Sequence, residues 1–283
     1  MLKIENCTFN YRHSGEPAIK DFLLEFGEGG VYGLLGANGA GKSTLLQLMA
    51  GLLTPETGRV TFDGEDVRRR LPSVMREIFI VPEEIELPPL KAARFMAVRG
   101  AMYPRFSMSK AERYLEIFDV PSSQRLDALS MGQKKKVALA FAMACNTRIL
   151  LMDEPTNGLD IPGKSAFRKI VVESASDDRV FVISTHQVRD VNRILDHILI
   201  MDRSKVLLDC NVADIQDSLV FMDTSDSDLI SRSIYAEKWI GGASVVIENR
   251  EGLESELNLE LLFNCVVSCP EAVAKVLNNR VTG

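Results

Sequence analysis

A glycine-rich loop at residues 36–44 limits this chain to a small group of folds. It reads Gly-Ala-Asn-Gly-Ala-Gly-Lys-Ser-Thr, between a strand-type apolar run at residues 31–35 and a helix-type run at residues 44–50. Glycines let backbone N–H groups approach phosphate oxygens, and a helix N-terminus favours negative charge. A glycine turn that binds nothing would not need the whole pattern with both flanks. We therefore predict a nucleotide phosphate site formed by Gly36, Asn38, Gly39, Ala40, Gly41, Lys42, Ser43 and Thr44.

Composition and charge exclude several classes of protein. The 283 residues are 46% hydrophobic, enough for one large core and a smaller unit, and the net charge of −6 argues against nucleic acid as a partner. The basic run at residues 68–70 is expected to be solvated surface, while 134–136 is a second basic patch. No apolar stretch is long enough to cross a bilayer, and residues 1–5 do not form a signal peptide. Five scattered cysteines favour reduced structural thiols and a cytosolic location.

Hydrophobic patterning divides the chain into three parts. Apolar strands alternate with helix-type segments up to about residue 209, which predicts a mostly parallel sheet with helices on both faces. Helical spacing without strands predicts a helical insertion at about 86–146. From 210 to 283 we expect a small α/β appendix, with a strand at 243–247 and an apolar helix stripe at Leu259, Leu262, Phe263 and Val266.

Two adjacent carboxylates follow the apolar run at residues 149–152. A buried strand delivers Asp153 and Glu154 to the carboxyl edge of the sheet, beside the phosphate loop. We expect Lys42 to reach the β- and γ-phosphates, and Ser43 and Asp153 to hold Mg²⁺. Glu154 would orient and deprotonate the attacking water. A strand that ends in a helix-capping carboxylate is the plainer reading, which the following residues disfavour.

Three ordered segments give the chain a specific resemblance over residues 1–208. Residues 129–133 (Leu-Ser-Met-Gly-Gln), 153–160 (Asp-Glu-Pro-Thr-Asn-Gly-Leu-Asp) and 184–186 (Ser-Thr-His) resemble the ordered motifs of ABC-transporter ATPase subunits. The resemblance implies an α/β P-loop NTPase core with N-terminal antiparallel strands. It also implies that ATP and Mg²⁺ are bound and ATP is hydrolysed to ADP and phosphate.

The same resemblance assigns roles to further residues. His186 matches the switch histidine that contacts the γ-phosphate and the attacking water, and Tyr11 resembles the aromatic residue that stacks on adenine. Ser130, Gly132 and Gln133 match the signature motif, which would meet the γ-phosphate bound by another subunit, and Asp160 matches an interface aspartate. A plain helix cap and an ordinary strand aromatic are the structural alternatives for Ser130 and Tyr11.

Two residues depart from the family pattern. Glu83 stands where the family has a glutamine that touches Mg²⁺ and the water, and Met131 replaces a signature glycine. A carboxylate at position 83 could ligate Mg²⁺ more strongly, but it adds negative charge beside Asp153 and Glu154. Like-charge repulsion at a few Å is on the order of 4 kcal/mol at an effective dielectric constant near 20. We expect Glu83 to slow hydrolysis or to change its metal dependence, and Met131 to have a modest effect.

The implied protein is an ATPase subunit that dimerises around ATP and drives a separately encoded membrane permease. A homodimer is feasible because this chain has both halves of the site, and pairing with a different ATPase subunit stays open. The protein would be cytoplasmic and peripheral to the membrane, without a nucleic-acid partner. The tail is similar to those of bacitracin-type and other exporter ATPases, which favours export.

Two alternatives stay open from the sequence. One is a soluble ABC ATPase outside transport, such as an iron–sulfur-assembly ATPase, and the other is a regulatory nucleotide-binding module without turnover.

Overall fold

The computed structural model describes residues 1–12, 15–27 and 29–281, with side chains described up to residue 277. Within them the strands are β1 Leu2–Phe9, β2 Ile19–Phe26, β3 Gly30–Gly36, β4 Thr57–Phe62, β5 Glu65–Asp66, β6 Ile78–Val81, β7 Ile149–Asp153, β8 Val180–Thr185, β9 His197–Asp202, β10 Lys205–Asn211, β11 Leu219–Thr224, β12 Tyr235–Trp239 and β13 Gly242–Glu248.

The helices connect these strands or cover them. They are α1 Lys42–Met49, α2 Pro72–Met75, α3 Ala92–Gly100, α4 Met108–Ile117, α5 Met131–Ala144, α6 Ile161–Ser174, α7 Val212–Ser218, α8 Ser227–Arg232, α9 Leu259–Ser268 and α10 Pro270–Val281. Short 3₁₀ turns at Val188–Asp190 and Asn192–Ile194 separate β8 from β9.

A six-stranded sheet in the order β10-β9-β3-β8-β7-β6 forms the centre of the molecule. Its strands are parallel except for β10, which pairs antiparallel with β9 at the edge. Adjacent residues of a strand point to opposite faces, so Leu34 and Leu35 are both fully buried but belong to different apolar clusters. Both faces of the sheet are therefore covered, as the continuous apolar strands predict.

One face of this sheet packs against an N-terminal sheet and α1. The N-terminal sheet has the order β2-β1-β4-β5, and its neighbouring strands are antiparallel. The opposite face packs against α5 and α6, where Phe141 and Phe167 are buried. The predicted α/β P-loop architecture, including the N-terminal antiparallel strands, is confirmed.

The stretch from 86 to 146 contains α3, α4 and α5 and no named strand among its residues, all of which the structure describes. α4 begins at Ser107, whose hydroxyl accepts a hydrogen bond from Lys110 N. Two aromatic rings, Phe95 and Phe141, pack with centroids 5.1 Å apart between α3 and α5. Phe141 also meets Phe79 of β6 at a centroid distance of 5.7 Å, which attaches the helical segment to the edge of the central sheet.

The C-terminal residues add a three-stranded antiparallel sheet, β11-β13-β12, with α7 to α10 around it. β10 extends past residue 209 to Asn211, so the appendix proper starts at α7. Leu262 and Val266 of α9 are fully buried, in the same continuous apolar cluster as Ile200 of the central sheet. The appendix is thus packed directly onto the ATPase-like core.

Candidate active site

The phosphate loop links β3 to α1 and depends on two left-handed glycines. Gly39 and Gly41 have φ angles of 83° and 103°, a region that residues with a side chain rarely adopt. A Cβ atom at Gly41 would also lie 2.5 Å from the carbonyl oxygen of Ala18. Gly41 is the residue before the first turn of α1, so the chain enters the helix with its free N–H groups facing the loop.

Lys42 is folded onto this loop in the structure. Its Nζ atom donates to the carbonyl oxygens of Gly36 at 2.7 Å and Ala37 at 3.1 Å, and the side chain is buried. Burial lowers the pKa of the Lys42 ammonium, while the charges of Glu154 and Asp153 oppose that shift. The phosphate loop therefore holds a buried cation, Lys42, close to the carboxylates of Asp153 and Glu154.

The two adjacent carboxylates lie where the sequence predicts, at the end of β7. Asp153 Oδ1 accepts a hydrogen bond from Ser184 Oγ at 2.5 Å, and both residues are buried. Glu154 has a φ of 44°, and its N–H donates to the carbonyl oxygen of Ser184 at 3.1 Å. A glutamate in the left-handed region is strained, and such strain is typical of functional sites.

Glu154 is held by the end of β8. His186 Nδ1 lies 2.8 Å from Glu154 Oε1, and the backbone N–H of His186 donates to the same oxygen at 3.0 Å. Thr185 Oγ1 donates to Glu154 Oε2 at 3.1 Å. The Glu154 side chain is buried, whereas that of His186 is 41% exposed. The carboxylate is thus fixed by three groups, and the histidine faces the open side.

Glu83 faces the same cleft from the loop after β6. Its Oε1 atom accepts a hydrogen bond from Asn157 Nδ2 at 3.0 Å, and its carbonyl oxygen accepts one from Lys135 Nζ at 2.6 Å. Lys135 is buried, and burial lowers the pKa of its ammonium against the opposing charges of Glu83, Asp153 and Glu154. One residue of the predicted basic patch is therefore an internal cation near the carboxylates.

Tyr11 marks the far end of the cleft. Its hydroxyl lies 3.1 Å from Thr44 Oγ1, and the ring meets Phe9 edge-on at a centroid distance of 4.9 Å. The residue is 45% exposed, so it is accessible from the cleft. An aromatic side chain with this exposure is suited to stacking on a nucleotide base.

These residues surround one cleft of about 1050 Å³. Its walls include ten of the predicted site residues: Tyr11, Asn38, Gly39, Gly41, Lys42, Ser43, Thr44, Glu83, Glu154 and His186. The cleft also has wall residues to which the sequence assigned no role: Glu16, Pro17, Ala18, Lys20, Asn157, Arg203 and Ser204.

The signature residues lie outside the walls of that cleft. Ser130 caps α5: its hydroxyl accepts from Gln133 N at 3.3 Å, and Gln133 Oε1 accepts from Ser130 N at 3.1 Å. A Cβ at Gly132 would lie 2.7 Å from the carbonyl oxygen of Gly158. Between them, Met131 is 79% exposed. The N-terminus of α5 is therefore well ordered and open to a partner.

Asp160 also lies outside the cleft walls and caps α6. Its Oδ1 atom accepts from Gly163 N at 3.1 Å and pairs with Lys136 Nζ at 2.9 Å. The hydrogen bond from Lys136 lowers the pKa of the Asp160 carboxyl. The next residue, Ile161, is 85% exposed. Met131 and Ile161 are thus exposed apolar residues directly beside the predicted interface residues.

Sequence reasoning gave no role to several residues that build the site. Ser184 and Thr185 orient Asp153 and Glu154, and Asn157 and Lys135 position Glu83. Ser184 and Thr185 carried a signal, since they end an apolar strand next to His186. Lys135 carried none, because a lysine in a run of three lysines resembles ordinary surface charge.

Mg²⁺ is compatible with the donors that this site provides. The ion prefers oxygen ligands and is commonly held by one or two protein groups together with phosphates and water. Ser43 contributes a hydroxyl in the cleft wall, and the carboxylate of Asp153 is close enough to act on the charge of Lys42. Across the described residues, no three His, Cys, Asp or Glu side chains gather as a metal cluster. The set therefore fits an ion that arrives with the phosphates.

None of the helices in the described part of the chain combines the length and apolarity needed to span a membrane.

Comparison with known proteins gives a consistent picture. The family model described as ABC transporter matches residues 19–157. The chain is 28% identical over 186 residues to the ABC transporter ATP-binding protein YtrB of Bacillus subtilis, a match that covers 65% of this chain and 63% of YtrB. This chain therefore aligns with less than two thirds of that relative.

Two further proteins are more fully covered. The cobalt import ATP-binding protein CbiO of Salmonella paratyphi A is 31% identical over 208 residues, with 70% of this chain and 77% of CbiO aligned. The solved structure of cbiO1 from Clostridium perfringens, part of the ABC transporter complex cbiONQ, superposes with a TM-score of 0.62 at 29% identity. That match covers 74% of this chain and 88% of cbiO1.

Proposed function

Because the chain belongs to the ATP-binding proteins of ABC transporters, which hydrolyse ATP, we propose that two copies clamp ATP and drive a separate membrane subunit. The observation that carries this proposal is the pairing, across one cleft, of the Lys42 loop with the Glu154–His186 contact. A phosphate-binding loop alone would support only nucleotide binding. A buried carboxylate fixed by a partly exposed histidine adds a group that can act on water.

Glu154 is the proposed general base. Oxygen of a water molecule forms a bond to the γ-phosphorus, the bond from that phosphorus to the β–γ bridging oxygen breaks, and ADP leaves with the electron pair. The Glu154 carboxylate takes the proton of the attacking water. His186 keeps Glu154 in place through the 2.8 Å contact and has an exposed face toward the γ-phosphate.

The loop side of the cleft would hold the leaving diphosphate. Lys42 exchanges its hydrogen bonds to Gly36 and Ala37 for phosphate oxygens, so its charge is already in place before ATP binds. Ser43, Asp153 and Glu83 are the groups proposed to hold Mg²⁺, which when bound neutralises charge that develops on the phosphates. Tyr11 would stack on the adenine ring. Its hydroxyl lies 3.1 Å from Thr44 Oγ1, which holds the side chain beside the phosphate loop.

A second copy would complete each site. Ser130, Gly132 and Gln133 start α5 outside the cleft, with the exposed side chain of Met131 among them. Free N–H groups at the start of a helix bind anions well. Asp160 and exposed Ile161 follow at the start of α6. We propose that these two helix ends of one copy close over the γ-phosphate held by the other, so ATP binding favours dimerisation.

The membrane subunit would bind on the side of β6 and α3. A cavity of about 610 Å³ lies there, with Phe79, Met102 and Tyr103 in its apolar wall. Arg76 and Arg99 also line it, so a partner helix with apolar and acidic residues would fit both parts of the surface. The loop that carries Glu83 and Pro88 connects β6 to α3. This side would attach the protein peripherally to the cytoplasmic face of the membrane.

The direction of transport rests on different indications. The resemblance of the tail to bacitracin-type exporter ATPases predicts export. The Salmonella relative is named for cobalt import, which favours an importer. Export therefore stays a prediction, which transport into inside-out vesicles containing both subunits would test. The iron–sulfur-assembly alternative has no observation in its favour and is not proposed.

The central experiment changes Glu154 to Gln. We expect phosphate release to fall about 100-fold or more, because the base is lost while its shape is retained. ATP with Mg²⁺ should then hold the variant as a dimer, measured by light scattering during size-exclusion chromatography. Glu84→Gln, at an exposed neighbour of Glu83, is the matched control and should behave like the native chain. Native turnover in Glu154→Gln would disprove the assignment of the base.

A further inference from the structure

A strained two-residue turn joins β9 to β10. Asp202 pairs with Lys205, so Arg203 and Ser204 form the turn, with φ angles of 44° and 66°. Such a turn has left-handed backbone at both central positions and therefore strongly favours Asn-Gly. Arginine and serine are unfavourable in this conformation, and strain of this kind often marks a functional site. The turn is therefore a candidate functional element.

Ser204 ties the turn to a distant segment. Its hydroxyl donates to the carbonyl oxygen of Pro17 at 2.8 Å, across 187 residues of sequence. The next residue, Ala18, has the carbonyl oxygen that approaches the Cβ position of Gly41 at 2.5 Å. The turn is thus fixed against the segment that borders the phosphate loop, which explains how the strained conformation is kept.

The side chain of Arg203 makes only a weak contact with the rest of the described chain. Its side chain is 93% exposed, and its ion-pair contact in the structure joins Nε to Asp202 Oδ2 at 3.9 Å. Arg68, by comparison, donates to Asp66 Oδ2 from Nε at 2.8 Å. Arg203 nevertheless lines the nucleotide cleft together with Tyr11. It is a cation at the cleft wall whose five donors are mostly unused by the chain.

We propose that Arg203 is a nucleotide-binding residue that donates to the phosphate nearest the ribose. The inference rests on the proposed function, which places the γ-phosphate at Glu154 and His186 and the base at Tyr11. Its neighbour Ser204 is bonded to Pro17, and Arg203 lines the same cleft as Tyr11 and the phosphate loop, so we assign it to the phosphate between the base and the reacting end of the nucleotide. A planar guanidinium matches phosphate oxygens and offers no acceptor, which suits it to phosphate rather than to a specific base.

The test measures equilibrium binding of ATP, ADP and GTP to the full chain with Mg²⁺. Arg203→Ala should weaken the binding of ATP, ADP and GTP about tenfold each, at the low end for hydrogen bonds to charged groups. Arg203→Lys should bind the nucleotides about threefold more weakly, because lysine keeps the charge but lacks the planar guanidinium with its paired donors. The control Arg250→Ala removes another exposed arginine, paired with Glu248 at 2.8 Å, and should leave binding unchanged. The turnover number at saturating ATP should stay native in the control Arg250→Ala.

Arg203→Asn separates binding from folding. Asparagine tolerates a positive φ, so this variant should unfold at an equal or higher temperature while it binds ATP about tenfold more weakly. ATP affinity within twofold of native for Arg203→Ala would overturn the inference. A loss confined to ATP and ADP with GTP spared would also overturn it, because that outcome indicates base recognition. If Lys42→Ala binds ATP like the native chain, the proposed function itself fails, which is a separate result.

Discussion

The ATPase-like part and the C-terminal appendix differ in where their backbone is strained. Nine residues other than glycine have positive φ in the described part of the chain, and all lie between Asn6 and Ser204. In the appendix the described positive-φ positions are Gly241 and Gly252, where no strain arises. Three of these residues, Glu154, Arg203 and Ser204, line the nucleotide cleft. We infer that strain is kept in the part that carries the chemistry and that the appendix serves packing.

The two parts are nevertheless connected through residues 187–192, the segment directly after His186, which we call the switch segment. Arg189 donates to Glu260 Oε2 of α9 at 2.7 Å, and Asn192 Nδ2 donates to the carbonyl oxygen of Leu257 at 3.2 Å. α9 also packs near β9 and β10 through its buried face. The appendix therefore supports the segment that follows His186, and none of its described residues is among the walls of the cleft.

The largest effect should come from the phosphate loop. Lys42→Ala removes a buried cation that the β- and γ-phosphates would otherwise contact, and we expect ATP affinity to fall about 100-fold or more. Folding should be preserved, since burial already disfavours the charged form of Lys42, as its lowered pKa indicates. Equilibrium binding measures the first effect and thermal unfolding the second. Lys169→Ala, at an exposed lysine of α6, should change neither quantity.

A core substitution in the appendix should have the opposite effect: it should lower stability and leave ATP binding unchanged. Leu262→Ala in α9 deletes a fully buried side chain and should lower the free energy of unfolding by about 2–4 kcal/mol. The Michaelis constant for ATP should stay within twofold of native below the unfolding temperature. Val267→Ala, at a 38% exposed position of the same helix, should cost well under 1 kcal/mol. A tenfold change in the Michaelis constant for Leu262→Ala would contradict the division of roles.

The same contrast explains what the sequence could reveal. The phosphate loop, Asp153 and His186 sit at strand ends whose apolar runs are continuous, so local pattern was enough to place them. The α9 stripe was also predicted: Leu259, Leu262 and Val266 are buried, whereas Phe263 is only partly buried. In each case the spacing of neighbouring residues determines the outcome.

Contacts between distant segments could not be read in this way. Ser204 meets Pro17 across 187 residues, and Arg189 meets Glu260 across 71, because the sheet order brings them together. The burial of Lys135 likewise depends on how α5 packs beside the loop that contains Glu83. The roles of Ser204, Arg189 and Lys135 therefore depend on tertiary packing and not on the spacing of neighbouring residues in the sequence.

A smaller effect is expected from Glu83→Gln. The amide keeps an oxygen for the 3.0 Å hydrogen bond from Asn157 and removes one negative charge beside Asp153 and Glu154. Glu83 is exposed and Lys135 lies near it, so most of the repulsion is screened, and we expect phosphate release to rise about three- to tenfold. The half-saturating Mg²⁺ concentration should rise as well, because a carboxylate ligand is lost. Glu84→Gln is the control, and identical rates and Mg²⁺ curves for Glu83→Gln and the native chain would reject the idea.

The smallest effect tests the connection between the two parts. Arg189 and Glu260 are 86% and 52% exposed, so their ion pair should contribute less than about 1 kcal/mol to the free energy of unfolding. Arg189→Ala, Glu260→Ala and the double variant form a cycle that measures the coupling between the two side chains in both unfolding and turnover. If the appendix only supports the fold, turnover should change by less than twofold in each variant. A tenfold change in turnover, with unfolding unaffected, would instead mean that the appendix acts on His186 through the switch segment, and the division drawn above between chemistry and packing would be wrong.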